Sequence, residues 1–208
     1  MKKISANYIS KAALVVVLLA GSSAHAGEWR FPIGFSYVNG LTEIRSVYRN
    51  NLEAQGYHVE NDTTRPFGIS LEPYVQFDNG FGIGGAIGPY LSIQSPIANF
   101  YAVPVGLDVR YMFTPKADSS AYARVGGRYN VASGKYVEHS TPGLFGAIGY
   151  EFFRKKTVGT AVELAYDTSN VTLKNYQNST NYNNETVRPS AFMASIFVIF
   201  SFDNWNAK

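Results

Sequence analysis

Apolar side chains alternate with small or polar ones along most of the chain beyond residue 28. In the stretch 29–39, every second residue from Trp29 to Tyr37 is large and apolar, and the intervening side chains point the other way. Such alternation, bounded by turn residues, predicts β-strands with one apolar face. The sequence predicts eight strands: 29–39, 67–78, 81–94, 100–114, 121–132, 144–153, 157–168 and 190–202.

Charged residues inside these strands fall on the opposite face. They are Arg30, Glu72, Asp108, Arg110, Arg124, Arg128, Glu151, Glu163 and Asp167. A cationic side chain facing the bilayer midplane costs about 2–4 kcal/mol, so a charge-free face predicts contact with lipid. The charged face then lines the lumen of a barrel, which at eight strands is narrow enough to be filled by side chains. Because buried charges need partners, we expect these residues to form a structural charge network. An ion path and catalysis are the alternatives.

The connections between the predicted strands alternate in length. Short turns at 78–80, 115–120 and 154–156 alternate with mostly longer segments at 40–66, 95–99, 133–143 and 169–189. Short periplasmic turns and long external loops are typical of outer-membrane barrels. In the first long segment, Leu41, Ile44, Tyr48 and Leu52 recur at helical spacing before Gly56, which predicts a short amphipathic helix over 41–55. This helix would be a lid, a plug, a partner-binding element or a structural cap; a loop ordered by a few apolar contacts is the alternative.

Residues 1–26 have the organisation of an export signal. A basic start is followed by the apolar run Ala12 to Ala20 and by the small-residue cleavage site Ala24-His25-Ala26. The predicted organisation is thus a cleaved signal peptide 1–26, a barrel 27–202 and a short periplasmic tail 203–208. The formal charge of +3 comes from three lysines of the signal, since 15 basic and 15 acidic residues remain after cleavage. Neutrality of the mature chain removes the support for a nucleic-acid partner.

With these features, the chain over about 29–202 resembles the small eight-stranded outer-membrane β-barrels, the group that includes outer-membrane proteins A and X. The resemblance rests on the signal, the alternation and the closing segment Ser195 to Phe202. It implies an all-β, antiparallel, up-and-down transmembrane barrel in the outer membrane of a Gram-negative-type bacterium, surrounded by outer-membrane lipid. It also implies that Phe200 and Phe202 belong to a C-terminal signal read by the barrel-assembly machinery, after periplasmic chaperones have delivered a chain that works as a monomer.

Candidate chemistry is sparse. The absence of cysteine excludes disulfides and thiol nucleophiles, and two mature histidines, His58 and His139, make a metal site improbable. Glu138, His139 and Ser140 are adjacent in the third external loop, but adjacency does not place a base within hydrogen-bond reach of a nucleophile. The sequence therefore predicts no enzyme activity and no cofactor. The fourth loop is rich in Asn and Tyr, a composition suited to binding polar surfaces.

Four functions remain open at this stage. The favoured one is a structural or surface-interaction barrel with a side-chain-filled lumen and ligand binding through its external loops. A narrow channel or small-molecule transporter and a lipid A-modifying enzyme are alternatives. A soluble, lipocalin-type barrel would reverse the two faces; belts of aromatic residues near the strand ends, the final strand and the unequal loop lengths argue against it.

Overall fold

The computed structural model describes residues 27–57, 63–94, 97–178 and 181–202. The predicted signal peptide, the predicted tail and His58 lie outside the described residues. Within them the chain forms fourteen strands and one helix. The strands are β1 Gly27–Val38, β2 Thr63–Arg65, β3 Phe67–Leu71, β4 Tyr74–Phe77, β5 Phe81–Ile87, β6 Leu91–Gln94, β7 Phe100–Met112, β8 Ser120–Gly134, β9 Val137–Thr141, β10 Gly143–Phe152, β11 Val158–Asp167, β12 Asn170–Tyr176, β13 Tyr182–Val187 and β14 Phe192–Phe202; the helix is α1 Leu41–Ala54.

The strand pairings close a ring of eight antiparallel positions. From β1 the ring passes through β3 and β4, then β5 and β6, then β7, β8, β10, β11 and β14, and β14 pairs again with β1. Two positions are divided: Glu72 and Pro73 separate β3 from β4, and residues 88–90 separate β5 from β6. The predicted eight-stranded, up-and-down architecture is thereby confirmed.

The two faces of this ring have opposite polarity. Large apolar residues point outward and are exposed, reaching 71% for Leu144 and 66% for both Ile69 and Ile148. On the inward face the charged residues are buried, with Arg124 at 4% and Glu151 at 0% exposure. A soluble barrel of this size would have the reverse arrangement, because exposed apolar surface is unfavourable in water. The outer surface is therefore built for lipid, and the lipocalin-type alternative is wrong.

The predicted helix is present and covers one end of the barrel. Leu41, Ile44, Val47 and Leu52 on its buried side join an apolar cluster that includes Phe100, the first residue of β7. The helix ends where Gly56, at φ 81°, accommodates a left-handed turn and donates its amide to the Glu53 carbonyl at 2.9 Å. Among the described residues, no helix is both long enough and apolar enough to cross a bilayer.

The loops at the helix end are more ordered than the sequence predicts. The third and fourth external loops contain β9, β12 and β13, which form a separate three-stranded antiparallel sheet in the order β13, β12, β9. Val171 and Leu173 of β12 are fully buried in the same apolar cluster as the helix. We call α1 together with β9, β12 and β13 the cap. At the opposite end the turns are short, and Gly80 in one of them takes a positive φ of 92°.

Candidate functional site

The barrel lumen brings most of the sequence-predicted charges into contact. All nine are at most 7% exposed, because each occupies an inward position of its strand or, for Glu72, the break between β3 and β4. Eight of them lie in two clusters of ion pairs and in a set of arginine–aromatic contacts, and Asp167 stands apart. Each of these eight charges has at least one ion-pair partner of opposite sign, as the burial of a charge requires.

The first cluster is centred on Arg124 of β8. Its guanidinium donates to both carboxylate oxygens of Asp108, at 3.1 and 2.7 Å, and to both oxygens of Glu163, at 3.0 and 2.9 Å. It also forms a short ion pair with Glu72. Arg128 lies 3.5 Å from the second oxygen of Glu72. One guanidinium thus connects carboxylates from three different places around the ring.

The second cluster is centred on Glu151 of β10. This fully buried carboxylate forms a short ion pair with Arg30 and accepts a hydrogen bond from the Tyr74 hydroxyl at 3.1 Å. Arg110 is 3.8 Å from it, and Arg154 is 3.6 Å from it. Glu151 therefore links β1, β4, β7 and the turn after β10.

Arg110 occupies the space between the two clusters and relies on aromatic rings. Its guanidinium carbon is 4.0 Å from the centre of the Tyr74 ring and 4.3 Å from that of Tyr122. The Tyr122 hydroxyl in turn donates to Glu163 at 2.8 Å. Two cation–π contacts at this distance compensate part of the desolvation of a buried cation. The lumen is filled at this level by one cation and two rings.

Asp167 lies nearer the cap, and its hydrogen-bond partners are uncharged groups. Its carboxylate accepts the Ser169 amide at 2.7 Å and the Ser190 hydroxyl at 2.8 Å. The Ser169 hydroxyl accepts the side-chain amide of Asn130 at 2.7 Å. These bonds hold the connections at 168–169 and 188–191, which lead from the barrel into the cap sheet and back.

Arg154 belongs to the charged lumen, although the sequence places it in a turn. The residue is 4% exposed, and its guanidinium donates to the Pro115 carbonyl at 2.7 Å. In the part of the chain that the structure describes, it raises the number of buried arginines to five, which equals the five buried acids. A signal exists in its spacing, since Arg154 follows Glu151 by three residues, but the neighbouring Lys155 and Lys156 give the segment the composition of a solvated turn.

The cap has a row of tyrosines that leads from its interior to its surface. Ring centres are 4.9 Å apart between Tyr48 and Tyr136, 6.1 Å between Tyr136 and Tyr176, and 5.2 Å between Tyr176 and Tyr182. Burial raises the pKa of Tyr48, so its hydroxyl stays protonated as a donor. At the outer end Tyr182 is exposed, with the Lys174 ammonium 4.9 Å from its ring centre.

Asn51 fastens the helix to the cap sheet. Its side-chain amide donates to the Lys174 carbonyl at 2.6 Å, and its carbonyl oxygen accepts the Tyr176 amide at 2.5 Å. The residue is fully buried. Asn51 therefore provides hydrogen-bond partners for the Lys174 carbonyl and the Tyr176 amide of β12, as a neighbouring strand would do.

The adjacent Glu138, His139 and Ser140 do not form a catalytic arrangement. They alternate along β9, which sends the His139 and Ser140 side chains to opposite faces. The His139 ring contacts the Thr172 hydroxyl across the sheet at 3.3 Å. In the described ranges, no three His, Asp or Glu side chains are grouped so that they could hold a metal ion.

Phe200 and Phe202, expected to belong to an assembly signal, lie near the end of β14 at the short-turn end of the barrel. In the pairing with β1, Phe200 is opposite Phe31 and Phe202 is opposite Trp29. The Phe202 ring packs edge-on against Phe31, with ring centres 5.4 Å apart. Both residues are on the lipid-facing side of the strand.

Comparison with solved structures identifies the fold. The outer membrane protein OprG from Pseudomonas aeruginosa aligns with a TM-score of 0.57 at 11% identity, covering 86% of this chain and 97% of that one. The Escherichia coli outer membrane protein W aligns with a TM-score of 0.52 at 14% identity, covering 86% of this chain and all of that one. No protein-family model matches the sequence, and no curated protein matches it.

Proposed function

We propose that this chain, which has the fold of the small eight-stranded outer-membrane β-barrels, acts in the bacterial outer membrane as a closed barrel that presents its cap to a partner at the cell surface. The observation that carries the proposal is that the barrel is blocked at two levels, inside its lumen and at one end. The Arg124 and Glu151 clusters fill the lumen between the strands, and α1 with its apolar cluster covers the cap end. Such a barrel supports transport poorly and a display function well.

The composition of the cap surface suits a polar partner. Tyr57 and Tyr182 are exposed, and lysines lie near both rings. Most of β13 is exposed and carries Asn183 and Asn184. Rigid aromatic side chains combined with amides bind polar surfaces at low entropic cost. A surface glycan or the polar face of a protein fits this composition.

Conductance in planar bilayers tests the closed barrel. We expect the refolded protein to give no stable single-channel currents under an applied voltage. A variant lacking residues 41–56 retains the lumen network and is expected to stay closed as well, because the two occlusions are independent. Stable, uniform pores in the wild type would contradict the proposal and favour the channel alternative.

Single-cysteine labelling tests the display of the cap, because the chain contains no cysteine of its own. Asn183→Cys in β13 should react with a membrane-impermeant maleimide on intact cells. Lys155→Cys in a short turn should react only after the outer membrane has been permeabilised. If Lys155→Cys reacts on intact cells and Asn183→Cys does not, the barrel has the opposite orientation and the cap does not face the cell exterior.

Biogenesis and oligomeric state are part of the same proposal. Periplasmic chaperones and the barrel-assembly machinery would deliver it, with Phe200 and Phe202 as part of the signal read on β14. The protein would then work as a monomer. Lipid A modification receives no support from the His139 geometry, since the neighbour of its ring is a threonine rather than a serine with an orienting carboxylate.

A further inference from the structure

The short-turn end of the barrel contains a polar cavity of about 470 Å³. Its lining is dominated by cations from three places in the chain: Arg30 of β1, Lys116 of the turn after β7, and Arg154, Lys155 and Lys156 of the turn after β10. Glu28, Thr157 and Ser201 complete most of the polar lining. The volume lies within the range of small-molecule sites.

The two turns that carry these cations are fastened together. The Arg154 backbone amide donates to the Asp118 carbonyl at 2.8 Å, and the Lys155 amide donates to the Asp118 carboxylate at 3.2 Å. The Arg154 guanidinium donates to the Pro115 carbonyl at 2.7 Å. Lys116 and Lys155 are therefore attached to a braced frame, although their side chains extend into solvent. A braced frame reduces the ordering cost of binding.

The cations of the cavity outnumber the acids around them. Among the described residues, five cations line it and three carboxylates are in or next to it: Glu28 in the lining, Glu151 against Arg154, and Asp118 in the adjoining turn. Two positive charges are left over. A phosphate monoester carries about −1.5 to −2 charges at neutral pH, which matches this surplus.

The buried arginines at the base of the cavity are incompletely satisfied. The Nε atoms of Arg30 and Arg154 are buried without a hydrogen-bond acceptor among the described residues. Burial lowers the pKa of the Arg154 guanidinium in spite of the nearby Glu151. An anion held by the lysines above would reduce the electrostatic cost of these cations.

From this geometry we propose that the short-turn cavity is a binding site for a small phosphate-bearing anion. Arg154 and Arg30 set the positive potential at its base, and Lys116, Lys155 and Lys156 contact the phosphate oxygens. The proposed orientation of the barrel places the site on the periplasmic side. The anion is then either a soluble phosphate monoester of the periplasm or the headgroup of an anionic phospholipid in the inner leaflet, whose phosphodiester carries one negative charge and would neutralise half of the surplus.

Calorimetric titration of the refolded barrel with inorganic phosphate tests this site. The protein is kept in a maltoside detergent, which carries no phosphate. We expect saturable binding in the wild type and at least about tenfold weaker binding in the triple variant Lys116→Gln, Lys155→Gln, Lys156→Gln, because charge-assisted contacts dominate the affinity. The matched control is Lys135→Gln with Lys174→Gln, which removes cations from the opposite end and should leave the affinity unchanged.

Two results would overturn the proposal: wild-type protein that shows no saturation at millimolar phosphate, or a control variant that weakens binding as much as the triple variant does. Heat-dependent gel mobility verifies that each variant is folded. The source of the anion is resolved in nanodiscs. If phosphatidylglycerol lowers the apparent affinity for added phosphate relative to phosphatidylcholine alone, a lipid headgroup occupies the site; if glycerol 3-phosphate binds equally in both, the anion is soluble.

Discussion

Replacement of Arg124 by methionine removes the centre of the larger ion cluster while keeping a long apolar side chain. Asp108 would lose two hydrogen bonds of 3.1 and 2.7 Å, and Glu163 would lose two of 3.0 and 2.9 Å. Glu72 would retain Arg128 at 3.5 Å. Breaking a buried pair by removing one partner costs about 3–5 kcal/mol. We expect the free energy of unfolding to fall by about this amount.

Urea titration in lipid vesicles, followed by tryptophan fluorescence and by gel mobility without heating, measures this loss. The matched control is Arg49→Met on the exposed side of α1, where Arg49 lies 3.4 Å from Glu53 and both side chains are more than half exposed. Exposed helix pairs contribute about 0.3–0.5 kcal/mol, so this variant should unfold nearly as the wild type does. If both variants unfold at the same urea concentration, the lumen network does not stabilise the barrel, and the reasoning fails.

Three further predictions concern other parts of the molecule. Asn51→Ala removes both hydrogen bonds between α1 and β12; we expect a local cost of about 2–3 kcal/mol, seen as faster proteolysis within 41–57 while the barrel stays folded. Gly149→Ala should destabilise the barrel in a urea titration, because its new methyl group would overlap the Tyr122 ring and lie 2.7 Å from a backbone oxygen. Gly146→Ala on the same strand meets no atom closer than 4.0 Å and should be neutral. Ile148→Arg puts a cation on the lipid face and should cost about 2–4 kcal/mol of refolding free energy in vesicles, but far less if position 148 faces solvent.

The barrel could be predicted from the sequence because lipid leaves a clear mark on it. A charge on the outer face would destabilise the barrel in lipid, so the charged positions of a strand indicate which of its faces points inward. Asp108 and Arg110 on β7, like Arg124 and Arg128 on β8, point in the same direction for this reason. The helix was predictable from Leu41, Ile44, Tyr48 and Leu52, whose spacing has the period of a helix instead of a strand.

The cap sheet was harder to predict because much of it is exposed to water. The first five of the six residues of β13 are polar or aromatic on both faces of the strand. The sequence of β13 therefore shows no alternation of apolar and polar residues. β12 buries the consecutive residues Val171, Thr172 and Leu173, which also breaks the alternation. The burial of Arg154 is hard to predict for a different reason: it depends on the turn after β7, which is remote in sequence, and the spacing of Arg154 from Glu151 does not reveal that contact.

The pairing of β1 with β14 has a consequence for how the molecule is made. Trp29 meets Phe202 and Val38 meets Met193 across this seam, so the ring closes between the first and the last of its described strands. Until then both strands expose unpaired backbone edges, which are prone to pair with other chains. Bringing such distant segments together also carries a large loop-closure entropy. A chain truncated before β14 would therefore keep two unpaired strand edges, and the pairing of β14 with β1 withdraws both edges from other chains.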